Sequence, residues 1–210
     1  MQRHNARGFT LVEMLLTSAV FTIVTAGVLT MVARTYRSYT NEMITGDVVW
    51  QGRAALDLMV RELRLAGYPP RNTYAQAANV TPANSNLVAA TFLTAAATSV
   101  VFEADLDADG AVERVEYRLN GTLLERSAVP KNADGSFPAA QYAALVTGVN
   151  NGSTPLFAYA TDPLSVLAAP GNVNSVRINL LLRTATFDPQ NAQFRTLRFQ
   201  GVAHRQNPER

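Results

Sequence analysis

The run FTLVEMLLTSAVFTIVTAGVLTMVA, residues 9 to 33, holds 25 residues and one charge, Glu13. At about 1.5 Å per residue it predicts a helix about 37 Å long, enough to cross the hydrocarbon core of a bilayer. A secretory signal has a shorter apolar region, about 7 to 15 residues, with a small-x-small cleavage site after it. The length therefore argues for a segment that stays on the protein. Glu13 is the anomaly in this run. An ionised acid at the centre of a bilayer helix costs about 2.5 to 3.5 kcal/mol, less near an end, and such a residue usually has a partner. Without a partner it would snorkel to the headgroups as an ordinary helix-end acid. Arg3 and Arg7 precede the run while Arg34 and Arg37 follow it, so flanking charge alone does not orient the span.

The rest of the chain must be one modest unit. A length of 210 residues suits a single domain with its own core, or a small domain on a stalk. Charged residues make up only 16%, which is low for a soluble protein and fits one segment in lipid. Arginine supplies every Lys/Arg position except Lys131, and beyond Arg3 and Arg7 the arginines are scattered from Arg34 to Arg210 without a cluster, so no specific nucleic-acid role is expected. Cysteine is absent, which excludes a disulfide framework and a thiolate zinc site.

Helical spacing continues beyond the apolar run. Leu56, Met59, Val60 and Leu63 recur at i, i+3, i+4 and i+7, with Arg53, Asp57, Arg61 and Arg64 on the other side. The stretch AGYPP ends the helix: Gly67 suits the left-handed residue after it, and Pro69 and Pro70 prevent its continuation. One helix from Phe9 to Ala66 would be about 87 Å long. Gly27, Gly46 and Gly52 each weaken it by about 1 kcal/mol relative to alanine.

Residues 67–98 read as a connecting loop, rich in Ala, Asn and Thr, with one weak strand near Leu87 to Leu93. Strands follow over 99–210. SVVFEA at 99–104 is rich in β-formers, and Val115, Tyr117 and Leu119 alternate with Arg114, Glu116 and Arg118. NGTLLERS predicts a tight turn at Asn120 and Gly121 into the next strand. Val176, Ile178, Leu180 and Leu182 alternate with Arg177, Asn179 and Arg183, and Phe194 to Ala203 completes the set. Six or seven antiparallel strands are expected, with one face burying the amphipathic half of the helix.

The best metal candidate is DLDADGAVERVE. Asp105, Asp107, Asp109, Gly110 and Glu116 fit the D-x-[DN]-x-[DN]-G-x5-E spacing of a calcium loop, which would offer hard oxygen ligands to Ca2+. A calcium-binding loop of that type carries its last glutamate on a helix, however, whereas Glu116 falls mid-strand. Asp-Gly is also a favoured hairpin signal without metal. No enzymatic motif is present: the histidines are His4 and His204, and there is no G-x-S-x-G, phosphate-binding glycine loop or H-E-x-x-H. The sole tryptophan, Trp50, reads as a packing residue rather than a binding platform.

The amino terminus resembles the type IV pilin and pseudopilin family. A short basic leader ending in Gly8, followed by Phe9, Thr10, Leu11, Val12 and Glu13, matches the family's glycine, phenylalanine and fifth-position glutamate. The resemblance implies cleavage between Gly8 and Phe9 by a prepilin peptidase and methylation of the Phe9 amine. It also implies that Glu13 docks against the Phe9 amine of a neighbouring subunit. The implied fold is an α+β pilin-like lollipop, a long transmembrane and amphipathic helix packed on an antiparallel β-sheet. Its parts would be a leader over 1–8, a membrane half of the helix over 9–33, an amphipathic half over 34–66, a loop over 67–98 and a sheet domain over 99–210. ALDLMVRELRLAGY, DLDADG, TLLERS and LVTGV look most like PilW-type minor pilins, and next the J-type pseudopilin of type II secretion. The implied partners are other minor and major pilins, the peptidase, an inner-membrane assembly platform and, before assembly, membrane lipid. The implied location is the bacterial inner membrane, amino terminus cytoplasmic and carboxy-terminal domain periplasmic, and then a pilus or pseudopilus. No catalysis is expected; a membrane-anchored surface protein that binds a ligand is the reading from another class.

Overall fold

The computed structural model describes residues 8–69, 86–165, 168–188 and 193–206. Leader residues 1–7 and the 70–85 part of the connecting segment lie outside the described residues. The chain divides into two compact units, one through Ile44 and one from Thr45 to Arg210.

The first unit is the apolar part of helix α1, which as a whole runs Leu11–Arg64. Its large side chains point outward: Phe21 is 70% and Ile23 72% exposed. Among the described residues α1 is the one helix long and apolar enough to cross a membrane. Its hydroxyls are turned back onto the helix. Ser18 donates to Leu15 O at 3.0 Å, Thr22 to Ser18 O at 2.8 Å and Thr30 to Ala26 O at 2.8 Å. Each hydroxyl thus brings its own acceptor into surroundings that offer none.

The second unit joins the last turns of α1 to eight strands in two antiparallel sheets. Strands β1 (Phe92–Ala95), β2 (Ser99–Ala104), β3 (Glu113–Asn120), β4 (Leu123–Pro130) and β5 (Ala143–Val146) form the first sheet in chain order. Strands β6 (Phe157–Thr161), β7 (Val173–Arg183) and β8 (Thr196–His204) form the second. The helix and antiparallel sheets of the expected α+β fold are present, but among the described residues the strands number eight, in two sheets rather than one. The weak strand expected near Leu87 to Leu93 lies later, as β1 at Phe92–Ala95, so the sheet region begins at Phe92 rather than Ser99. Only Phe92 of its four residues is buried, and a register shift separates Phe92 from Thr94, so no alternation marks it.

The two sheets separate where the chain leaves β5. Val149 bridges Leu182, and the Asn150 N–H donates to Leu181 O at 2.8 Å, which ties the link to β7. The sheets meet at the turn between β1 and β2, where the Tyr159 hydroxyl reaches Ala96 O at 2.9 Å and Ser99 O at 3.0 Å. Their inner faces and α1 enclose one core: Met59 and Leu63 from the helix with Ala66 from the turn after it, Phe102, Tyr117 and Leu124 from the first sheet, Ile178, Leu180 and Leu182 from the second. Each large apolar side chain buried this way contributes about 1.5–3 kcal/mol.

Two glycines let α1 sit where it does. Gly52 faces β8 so closely that a Cβ there would stand 2.4 Å from the Phe199 ring. Its helix-weakening cost is thus the condition for close packing. Gly67 takes φ +81° just past the helix end and donates its N–H to Glu103 O at 2.8 Å. That left-handed turn sends the chain toward β2. The helix ends at Arg64, two residues before the expected Ala66, and residues 65–67 complete the turn. Between β3 and β4 the loop is Gly121 and Thr122, with Asn120 paired to Leu123. The hairpin is thus one residue later than Asn120–Gly121, because Gly121, at φ +61°, takes the first central position.

Candidate functional site

The amino-terminal site is built on the first turn of α1. Gly8 and Phe9 precede the helix, Phe9 at 80% exposure, and no atom lies within 4 Å of where a Gly8 side chain would begin. Backbone next to Gly8 is therefore open to close approach. Glu13 stands on the first turn of the helix. The Thr10 N–H donates to Glu13 Oε2 at 3.4 Å, and the Glu13 N–H donates to Thr10 Oγ1 at 3.3 Å. The Thr10 hydroxyl also reaches Glu13 Oε2 at 3.4 Å. This reciprocal pair is a capping box, T-x-x-E ahead of an apolar run. Sequence spacing alone signals it.

The aspartate turn joins β2 to β3. Asp105 is buried, Asp107 and Asp109 are exposed, and one oxygen from each lies within 4.8 Å of the others. Asp105 accepts the N–H of Ala108 at 2.7 Å on Oδ1 and that of Gly110 at 3.1 Å on Oδ2. Asp107 accepts from Asp109 at 3.3 Å, and Asp109 from Ala111 at 2.8 Å. These carboxylates close the turn on its own amides. The three are also the oxygens that could hold a hard cation, which would compete with those amides for Asp105. Glu116 is not in the group: it stands mid-strand opposite Val101 and Ser127, 3.8 Å from Arg114. The neighbouring acid is Glu113, whose Oε2 accepts the Leu106 N–H at 2.8 Å. Burial raises the Glu113 pKa above its ordinary value; the Leu106 N–H opposes this, and Asp107, Asp105 and Asp109 add to the rise.

A third polar group went unsignalled in the sequence. Glu62 lies in the helix stretch RELR yet is 5% exposed. Its carboxylate accepts the Tyr117 hydroxyl at 2.5 Å and both Nε and Nη2 of Arg126, at 3.0 and 2.7 Å. Burial, then the adjacent carboxylate, pushes the Tyr117 hydroxyl well above the ordinary tyrosine range. The bidentate pairing fixes the rotation of α1 against β3 and β4. Nearby, Glu103 at 3% exposure accepts the Lys131 ammonium at 2.8 Å and the Ala90 N–H at 2.7 Å. Trp50, by contrast, is 73% exposed and takes no part in its own core.

The prokaryotic N-terminal methylation motif matches residues 3–29, a window that contains Gly8, Phe9, Thr10 and Glu13. No curated protein and no solved structure matches the chain. The motif lies at the head of α1, which is long and apolar enough to cross a membrane. Over that segment the chain is similar to proteins with this methylation motif, and an α+β fold follows it.

Proposed function

We propose that the chain is a minor pilin, a structural subunit that helps prime, assemble or cap a type IV pilus. The observation that carries the reading is the amino-terminal constellation: Gly8, Phe9 and Glu13 inside the methylation motif, on a helix whose apolar surface is uncovered by its own chain. Cleavage after Gly8 turns the Phe9 nitrogen into a cation. A cation at the end of an apolar rod needs an anion, and Glu13 of an adjacent subunit supplies one at matching depth. The exposed Trp50 is a contact for a neighbouring stalk in the same assembly.

A minor role is favoured over a major one by the features that follow the helix, ALDLMVRELRLAGY through the DLDADG turn, which resemble PilW-type subunits. Membrane-extracted protein is expected to begin at N-methylated Phe9 by intact mass and amino-terminal sequencing. Glu13→Ala is expected to leave insertion and cleavage intact while reducing incorporation into sheared filaments about tenfold or more, since the partner cation is then buried unpaired. Incorporation at the wild-type level would remove the docking role. Loss of piliation on gene deletion, with type II secretion intact, is the outcome that selects the pilus over a J-type pseudopilus.

A further inference from the structure

We propose that Thr10 is a positioning residue for Glu13, holding one carboxylate oxygen on its own helix so that the other is presented to the amine of the next subunit. The inference rests on the docking reading above and adds a residue to it. Both side-chain contacts fall on one oxygen, Oε2, which takes the Thr10 N–H and the Thr10 hydroxyl at 3.4 Å each. The same hydroxyl accepts the Glu13 N–H at 3.3 Å. Two contacts on the carboxylate, beside the third from the Glu13 N–H to the Thr10 hydroxyl, hold the Glu13 side chain toward the amino-terminal end of the helix, close to Phe9. Oε1 carries the remaining acceptor sites.

The physical need is specific to an apolar environment. The first N–H groups of a helix have no partner within it, and in lipid each unsatisfied group costs several kcal/mol. Glu13 satisfies Thr10 and Thr10 satisfies Glu13, so the subunit waits in the membrane with both its helix end and its acid partly solvated by each other. Assembly then adds the neighbour's amine to an acid already aimed at it. A side chain that is held in place loses less entropy on pairing than a free glutamate would. Thr17 is the internal control. Its hydroxyl donates to the Glu13 backbone carbonyl, not to the carboxylate, so it lies on the same face without holding the acid.

The test uses the full chain expressed with its peptidase, scored only on the fraction that intact mass shows to be processed. Thr10→Val keeps shape and removes both hydroxyl contacts; it is expected to lower filament incorporation about three- to tenfold, the range of a lost cap. Thr10→Ser is expected to restore it, and Thr17→Val to leave it at the wild-type level. Wild-type incorporation of Thr10→Val beside a defective Glu13→Ala overturns the positioning role and leaves docking standing. Wild-type incorporation of Glu13→Ala overturns docking itself. A second measurement does not depend on cleavage: amide exchange at Thr10 and Glu13 in detergent micelles. Exchange there is expected to be several-fold faster in Thr10→Val and unchanged in Thr10→Ser; equal rates in all three overturn the cap.

Discussion

Along residues 8–44 the aromatic and branched side chains face outward, Phe21 at 70% and Ile23 at 72% exposure, whereas from Thr45 onward Phe102 and Ile178 are sealed at 0%. The same kinds of residue are thus spent differently: the first unit leaves its apolar surface uncovered, and the second uses it to enclose a core. The two helix acids follow the same division. Glu13 stays at an exposed surface, held by one neighbouring residue. Glu62 is buried and receives three donor contacts from β3 and β4. An acid is tolerated in apolar surroundings in both places because a donor reaches it, locally in one case and through the fold in the other.

The strongest way to break this contrast is to separate the units. A fragment spanning residues 45–210 is expected to be soluble without detergent and to melt cooperatively, since the core lies wholly within it. The full chain is expected to need detergent or lipid. Aggregation of the fragment at micromolar concentration, by sedimentation, would show that the first unit supplies part of the fold.

A smaller effect tests the buried acid. Glu62→Ala leaves the Arg126 guanidinium and the Tyr117 hydroxyl without their carboxylate and should cost about 3–5 kcal/mol in urea unfolding of the fragment. Because the two positions touch, the double variant Glu62→Ala with Arg126→Ala should cost less than the two single changes together, by about 0.5–3 kcal/mol. Additive losses would show that the pairing adds nothing beyond packing. Gly67→Ala comes next, at about 1–3 kcal/mol, since φ +81° is strained for alanine and its Cβ would meet Thr91 Cγ2 at 2.7 Å. A loss under about 0.5 kcal/mol would mean that the turn relaxes.

What could be read in advance followed the range over which each signal acts. The stalk is a continuous apolar run, and β3 alternates, so local order is enough to find both. Strand β1 has four residues and one buried side chain, too little pattern to fix its ends, so the weak strand expected near Leu87 to Leu93 fell several residues early. Glu62 sits among charged neighbours in RELR, while its partners Tyr117 and Arg126 lie 55 and 64 residues away, so nothing nearby marks it as buried. The calcium template placed Glu116 beside the aspartates because it assumes a helix after the loop. Strand β3 begins at Glu113 instead, and an extended chain carries Glu116 about 10 Å further along. Thr10 and Glu13 show the opposite case, a short-range signal that spacing alone reveals.

The smallest expected effect is a pH dependence, and its sign follows from Glu113. The group is held above its ordinary value of 4.5, first by burial and then, against the Leu106 N–H, by the three aspartates. The folded chain therefore keeps a proton on Glu113 over a range of pH in which the unfolded chain has lost it. Where the native state binds more protons, unfolding free energy falls as pH rises. The contribution of Glu113 is fully present below pH 4.5 and is lost as pH climbs through the raised value. Glu113→Gln, which is neutral throughout, should remove this slope, so that wild type minus variant stability declines as pH rises above 4.5. Glu116→Gln serves as the reference, because that side chain stands apart from the aspartate turn and should leave the slope in place. Equal slopes for wild type and Glu113→Gln in urea titrations across this range would show that neither burial nor the aspartates hold Glu113 above its ordinary value. Calcium added to the same titrations sharpens the point. A cation held by Asp105, Asp107 and Asp109 would cancel their repulsion and flatten the slope in the wild type alone, while an unchanged slope would leave the turn closed by its amides.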